Sequence, residues 1–381
     1  MHYLDHAATT PLVPEARAAM LGVFDDNFGN PSSVHAAGRA ARETVEVARE
    51  RVAQAVGGGP SEIVFTGGGT EADNLAIKGA AYKLRGNGNH VIVSSFEHHA
   101  VLEAAEWLEH QGYELTRVPV TSDGVVEPAA LAEAVRHSTV LVSVMTVNNE
   151  IGTIQDIAGI VSAIKAANPN TLVHSDAVQA LGKIPVDVGA WGVDLASFSA
   201  HKLGGPKGVG ALFVRTGVPV EAILHGGGHE RGLRSGTLNV AGISGFGAAA
   251  EVAAKEVYGE SERLLPLREK LLDGIRDIVP DVVVNGRLEN RVAHNLNVCI
   301  PGAEGETLLL LLDQAGIACS SGSACQSGAL DPSHVLLAIG VARDLAEGSL
   351  RFSMGRTTTV SDFDAVLAAL PDVVSRARRA A

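Results

Sequence analysis

The sequence predicts an α/β protein of two lobes. Short β-rich runs alternate with helical stretches over the first two thirds of the chain, the apolar residues are aliphatic rather than aromatic, and 381 residues exceed one average domain. Hydrophobic residues make up 46% and aromatic ones only 4%, so Ala, Val, Leu and Ile must build the interior. Buried parallel sheets and the helices that cover them have that composition.

In chain order, the runs Glu62 to Phe65, His90 to Ser94, Val140 to Val147, Thr171 to His174, Leu195 to Ser199 and Gly210 to Val214 read as strands. Helices are expected between them, at Ala36 to Ala55 and Thr70 to Leu84. The first carries Val45, Ala48, Val52 and Ala55 at helical spacing. This rhythm implies parallel strands joined by crossover helices. A long helix is expected from Ile243 through Arg276 with a break near Pro266. A second set follows: strands Val282 to Asn285, Asn295 to Ile300 and Leu350 to Ser353, and a helix Glu306 to Ala315. The expected division is a large domain over 15–250 and a smaller α+β domain over 1–14 and 251–381. No repeat of solenoid period and no low-complexity tract interrupts it.

Lys plus Arg number 30 against 43 Asp plus Glu, for a net charge of −13. That balance gives no electrostatic footprint for nucleic acid and favours a small-molecule substrate. The start lacks the basic and apolar regions of a secretory leader, and apolar runs such as Ala365 to Leu370 are too short to span a bilayer. A cytoplasmic protein is expected. Three cysteines, Cys299, Cys319 and Cys325, argue against a disulfide framework and leave a thiol for chemistry.

Lys202 follows an apolar strand and precedes a run with the small residues Gly204 and Gly205, which allow close approach. A lysine desolvated at a strand end has a lowered amine pKa and suits Schiff-base chemistry, although an isolated loop lysine is usually just solvated. Asp176 ends another strand, with Gln179 three residues on. The pair matches an acid for the pyridine nitrogen of pyridoxal phosphate (PLP) and a donor to its phenolic oxygen; alone, Asp176 would read as a helix cap. Thr66-Gly67-Gly68-Gly69-Thr70 joins a strand directly to a helix, so its backbone N–H groups, the helix dipole and the Thr70 hydroxyl can cradle a phosphate. Ser199 and His201 can add contacts from the lysine loop, and His98 follows a fourth strand as a ring to stack and relay protons. Ligands of open α/β sheets gather at the carboxyl ends of strands, and four such ends carry Thr70, His98, Asp176 and Lys202.

Cys325 lies in Ser320-Ser321-Gly322-Ser323-Ala324-Cys325, a composition that favours an accessible loop. Cys299, in an apolar strand, reads as core, and Cys319 is open between core and transient partner of Cys325. The two are not spaced as zinc ligands, and no metal is expected.

The chain resembles the cysteine desulfurases of the class V aminotransferases, the NifS/IscS type. The likeness is carried by Tyr3-Leu4-Asp5-His6-Ala7-Ala8-Thr9-Thr10, Gly29-Asn30-Pro31-Ser32-Ser33-Val34-His35, Glu97-His98, Asn148-Asn149-Glu150, Ser199-Ala200-His201-Lys202, Arg231-Gly232-Leu233-Arg234-Ser235-Gly236-Thr237, the Cys325 segment and Arg351-Phe352-Ser353. The resemblance implies the fold type I of PLP-dependent transferases, with a mainly parallel seven-stranded sheet in the large domain, and a homodimer with its sites near the subunit interface. It implies L-cysteine as sulfur donor, Cys325 as the persulfide carrier, and an acceptor protein such as an iron-sulfur scaffold or a tRNA-thiolation enzyme. By matching motifs, Lys202 would hold PLP, His98 would stack on it, Asp176 and Gln179 would bind its ring, and Gly69, Thr70, Ser199 and His201 its phosphate. Thr237 would reach in from the other subunit, and Asn148 and Arg351 would bind the substrate carboxylate. Arg351 has the planar fork that such a carboxylate needs.

Overall fold

The computed structural model describes residues 1–321 and 332–380. Its strands are β1 (His2–Tyr3), β2 (Ile63–Thr66), β3 (His90–Ser94), β4 (Glu114–Val118), β5 (Thr139–Ser143), β6 (Leu172–Asp176), β7 (Leu195–Ser199), β8 (Gly210–Val214), β9 (Val283–Val284), β10 (Asn295–Cys299), β11 (Ile317–Ala318) and β12 (Ser349–Ser353). Seven form one sheet in the order β2-β8-β7-β6-β5-β3-β4. The α/β class and the seven-stranded, mainly parallel sheet are as the sequence predicts.

Side chains alternate across a strand, and the sheet buries both faces. Val64, Val91, Val93, Leu141 and Leu212 join one apolar cluster, with Leu75 and Ala76 of the helix Gly69–Lys83 and Val101 and Ala104 of the helix His99–His110. Their neighbours Phe65, Ile92, Val142, Ala211 and Phe213 point the other way. They meet Val45 and Val52 of the helix Ala36–Val56, Ile160 of the helix Ile157–Ala167 and Phe246 of the helix Val240–Ile278. Each face carries its own helical layer, so both sets of apolar positions are satisfied.

Three elements differ from expectation. The strand β8 runs antiparallel to both β7 and β2. Only a short turn holding the one-turn helix Ala200–Lys202 separates it from β7, too little chain for a parallel crossover. The edge strand β4, Glu-Leu-Thr-Arg-Val, has no apolar run because only Val118 is buried, and periodicity does not betray it. The helix Val240–Ile278 continues through Pro266 without a break. Pro266 forfeits one backbone bond, but Leu264, Leu271, Leu272 and Ile275 on both sides of it stay buried in one cluster.

Beyond the large sheet, β12-β10-β9 form an antiparallel sheet and β1 pairs in parallel with β11. Leu4 from the amino-terminal segment is buried with Leu264, Leu296, Phe352 and Phe363. That contact brings Asp5 to Ser353 and the first residues of the chain over the carboxyl ends of β6 and β7. Among the described residues no helix is long and apolar enough to cross a membrane.

Candidate active site

Strand ends build the site. The strand β2 ends at Thr66, and the helix Gly69–Lys83 opens three residues later, so the turn between them directs backbone N–H groups at the space above the sheet. Here β8 passes very close: a Cβ on Gly210 would lie 2.7 Å from the Gly68 carbonyl carbon, so glycine is required. Across the sheet, β3 leads to His98, β6 ends in Asp176, and β7 ends in Ser199 before the turn that carries Lys202.

These ends meet in a cleft of about 200 Å³ lined by Gly69, Thr70, His98, Asp176, Gln179, Ser199, His201, Lys202 and Arg351, all expected from the sequence. Lys202 Nζ donates to the carbonyls of Ala7 (2.7 Å) and Ala8 (2.9 Å), and Gln179 Nε2 donates to Ala7 O at 2.9 Å. The amino-terminal segment thus folds over the lysine. Asp176 Oδ1 accepts from Val178 N–H at 2.9 Å; burial pushes its carboxyl up to about 6, against the pull of that bond and of Lys202. His98 caps the helix His99–His110 through its Nδ1, and burial, reinforced by Lys202, pulls it down to about 4. A neutral imidazole is the form that stacks on a ring and moves a proton. The Ser199 hydroxyl is buried without a partner among the described residues, beside the helix terminus.

Arg351 is only 3% exposed. Its Nη2 donates to Asp5 Oδ1 and its Nη1 to Asn149 O, both at 3.0 Å, and its Nε is buried without a partner among the described residues. The fork is held in place before any substrate arrives.

Two expected residues are not gathered into this cleft. The Asn148 amide is fully engaged, Oδ1 accepting from the N–H groups of Glu150 and Ile151 and Nδ2 donating to Phe96 O, and it is Asn149 that lines the cleft. Thr237 is exposed, away from this chain's own cleft. Cys325 lies outside the described residues. Cys319 is half-buried, its thiol pushed up to about 12 by burial, while Cys299 is buried and accepts from Asn285 Nδ2 at 3.0 Å.

Sequence reasoning missed a set of buried carboxyls. Asp73 lines the cleft, and burial together with Asp176 raises it well above the carboxylate range. Glu97 accepts from Met145 N–H at 2.8 Å and from the Ser94 hydroxyl, and burial pushes it up to about 8. A signal existed for Asp73: it sits among Ala72, Leu75, Ala76 and Ile77, on the buried face of its helix.

These groups predict a pH dependence. Burial leads in lowering seven imidazoles, His6, His90, His98, His174, His201, His294 and His334, below their ordinary 6.5. An unfolded chain binds those protons more readily, so their contribution to stability is lost as pH falls from 6.5. The raised carboxyls Asp73, Glu97, Glu150 and Asp176 act in the opposite sense but are fewer. The thermal midpoint of the cofactor-free protein should therefore drop between pH 6.5 and about 4. A midpoint that rises on acidification would contradict neutral buried imidazoles.

The donor set fits PLP. A buried acid (Asp176), an amine (Lys202), an imidazole (His98) and an unpartnered hydroxyl at a helix amino terminus (Ser199) line one hollow. A Cβ on Gly69 would come within 2.9 Å of Val178, so the turn itself is shaped closely around that hollow.

Comparison with known proteins agrees with this chemistry. The aminotransferase class V family model matches residues 2–366. The chain is 48% identical over 376 residues to the cysteine desulfurase IscS of Methanosarcina thermophila, covering 99% of this chain and 92% of that one. It is 47% identical over 388 residues to the IscS-like cysteine desulfurase of Mycobacterium tuberculosis, covering 100% and 98%. A solved NifS-like protein superposes with a TM-score of 0.93 at 40% identity, over 98% of this chain and 99% of that one. A structure described as SspA in complex with cysteine gives a TM-score of 0.81 at 34% identity, over 93% and 99%.

Proposed function

The chain belongs to the class V aminotransferase family, and from that premise we infer that it is a cysteine desulfurase. It moves sulfur from L-cysteine to its own Cys325, with L-alanine as the other product. The observation that carries this reading is the convergence of Lys202, Asp176, His98 and Arg351 on one cleft.

When bound, PLP supplies an electron sink for bond breaking at the substrate carbon. Lys202 would hold the cofactor, and its Nζ would take the α-proton of the substrate. Asp176, Gln179 and His98 would hold the cofactor ring: Asp176 would keep its nitrogen protonated, Gln179 would donate to its phenolic oxygen, and His98 would pack against it and relay protons. Gly69, Thr70, Ser199 and His201 would hold its phosphate. Arg351, already oriented by Asp5 and Asn149, takes the substrate carboxylate. Asn148 braces the loop that positions Asn149.

Cys325 acts as a thiolate on the substrate sulfur. The carbon–sulfur bond breaks, a sulfur–sulfur bond forms, and the carbon product takes up a proton to become alanine. An acceptor protein, such as an iron-sulfur scaffold or a tRNA-thiolation enzyme, or a small thiol then collects the sulfur. The enzyme works as a cytoplasmic homodimer, and the exposure of Thr237 supports its reaching a second subunit's phosphate site. Residues 15–250 form the cofactor lobe and 1–14 with 251–381 the lobe that carries Cys325. The burial of Leu4 among Leu264, Leu296 and Phe352 supports that division.

The test is product analysis with Cys325→Ala. PLP-loaded wild-type protein with a reducing thiol should release sulfide and alanine in equal amounts. The variant should lose both products yet keep its cofactor and its affinity for cysteine. Full turnover by the variant, or keto-acid from the wild type, would overturn the assignment.

A further inference from the structure

Lys202 also lines a second hollow that the proposed reaction does not use, a groove of about 370 Å³. Its walls are largely apolar, from Leu12, Val13, Leu181, Leu203, Val252 and Ala253. Its acidic residues are already paired, Glu256 with Arg356 at 3.0 Å and Glu260 with Arg263 at 2.8 Å. Lys183 is different. It is 8% exposed, and its Nζ has no hydrogen-bond partner among the described residues.

The groups around Lys183 do not compensate it. Lys202 and Arg351 carry its own sign. His6 and His294, both on the groove, are held neutral mainly by burial. A buried cation without a counter-charge is costly, and proteins neutralise it or bind an anion beside it. Burial, with Lys202 and Arg351, does pull Lys183 down to about 7, so the amine stands ready to be recharged by a neighbouring anion.

We propose that this groove is a binding site for an amphipathic monocarboxylate, with the carboxylate against Lys183 at the buried end and the apolar tail along Leu12, Val13, Leu203 and Val252. One uncompensated cation calls for one negative charge. A dianion such as phosphate would leave the apolar walls unfilled and bring excess charge toward Glu256 and Glu260.

Calorimetric titration of PLP-loaded protein with octanoate and with 1-octanol tests the site. Octanoate should bind the wild type, and Lys183→Met should weaken it by about tenfold or more, the range for a lost hydrogen bond to a charged group. 1-Octanol, which has the tail without the charge, should bind the wild type about as weakly as octanoate binds that variant. Lys183→Met puts an apolar chain of similar length where a buried unpaired cation stood, so it should keep its thermal midpoint. Ala253→Phe, which fills the groove and leaves Lys183 in place, should abolish octanoate binding independently. No octanoate binding to the wild type, equal binding to Lys183→Met, or equal binding of 1-octanol would each overturn the proposal.

Discussion

Lys202→Ala should abolish cysteine turnover, by roughly 10⁴-fold or more, because under the proposed function it removes in one step the group that would hold the cofactor and the base that would take the α-proton. The two imidazoles that share the cleft are poorly placed to substitute. The Lys202 amine is directed by the carbonyls of Ala7 and Ala8, which belong to a segment folded back from the start of the chain. His98 and His201 share the cleft but are rings anchored by other contacts, His98 as a helix cap and His201 through Thr9. Lys202→Arg is the matching control. It keeps a long cation under the same carbonyls and should stay folded, yet it cannot form a Schiff base. Borohydride reduction followed by mass spectrometry should find cofactor attached to wild-type Lys202 and to neither variant. A variant with substantial turnover would show that another group takes the α-proton.

Arg49→Met should cost about 3–5 kcal/mol of stability, the range for removing one partner of a buried ion pair. Arg49 and Glu230 side chains are 5% and 2% exposed, and the guanidinium meets the carboxylate bidentately at 2.7 and 2.8 Å. The same carboxylate accepts from Phe65 N–H at 2.7 Å, at the end of β2. With Arg49 gone, Glu230 is left charged and buried. The same pair also holds a strained backbone in place. Glu230 and Arg231 adopt φ of 46° and 57°, which side-chain-bearing residues adopt only when their surroundings force it. Arg231 donates to Ile63 O, and Arg234 pairs with Glu71, whose Oε2 accepts from Gly67 N–H. The strained loop is therefore bolted to the same turn that lines the cleft. Denaturant unfolding should show the loss for Arg49→Met and recover much of it in Arg49→Met with Glu230→Leu, which removes both charges together. Cofactor affinity should fall with Arg49→Met through the displaced turn. Single and double variants of equal stability would mean that Glu230 is not stranded.

Much of this protein could be read before it was folded. Aliphatic runs such as Val91-Ile92-Val93 and Leu141-Val142 announce buried strands because a sheet covered on both faces needs apolar side chains at consecutive positions. Strand ends followed by Gly67-Gly68-Gly69, Asp176 or Lys202 announce a site because strand direction carries their side chains to one edge. Both are local facts of residue type and spacing, and they determine the class of fold and most of the cleft.

What remained depends on contacts between residues far apart in the chain, and no local pattern encodes those. Asp5 meets Arg351 across 346 positions and Arg49 meets Glu230 across 181. Only the folded chain decides that Asn149 rather than its neighbour Asn148 faces the cleft, because Asn148 is consumed by the carbonyl of Phe96 and the N–H groups of its own turn. Burial is likewise a property of the assembled structure. Asp73, Glu97 and Lys183 look like ordinary charged residues in the sequence, and their perturbed protonation comes from the water that folding removes around them.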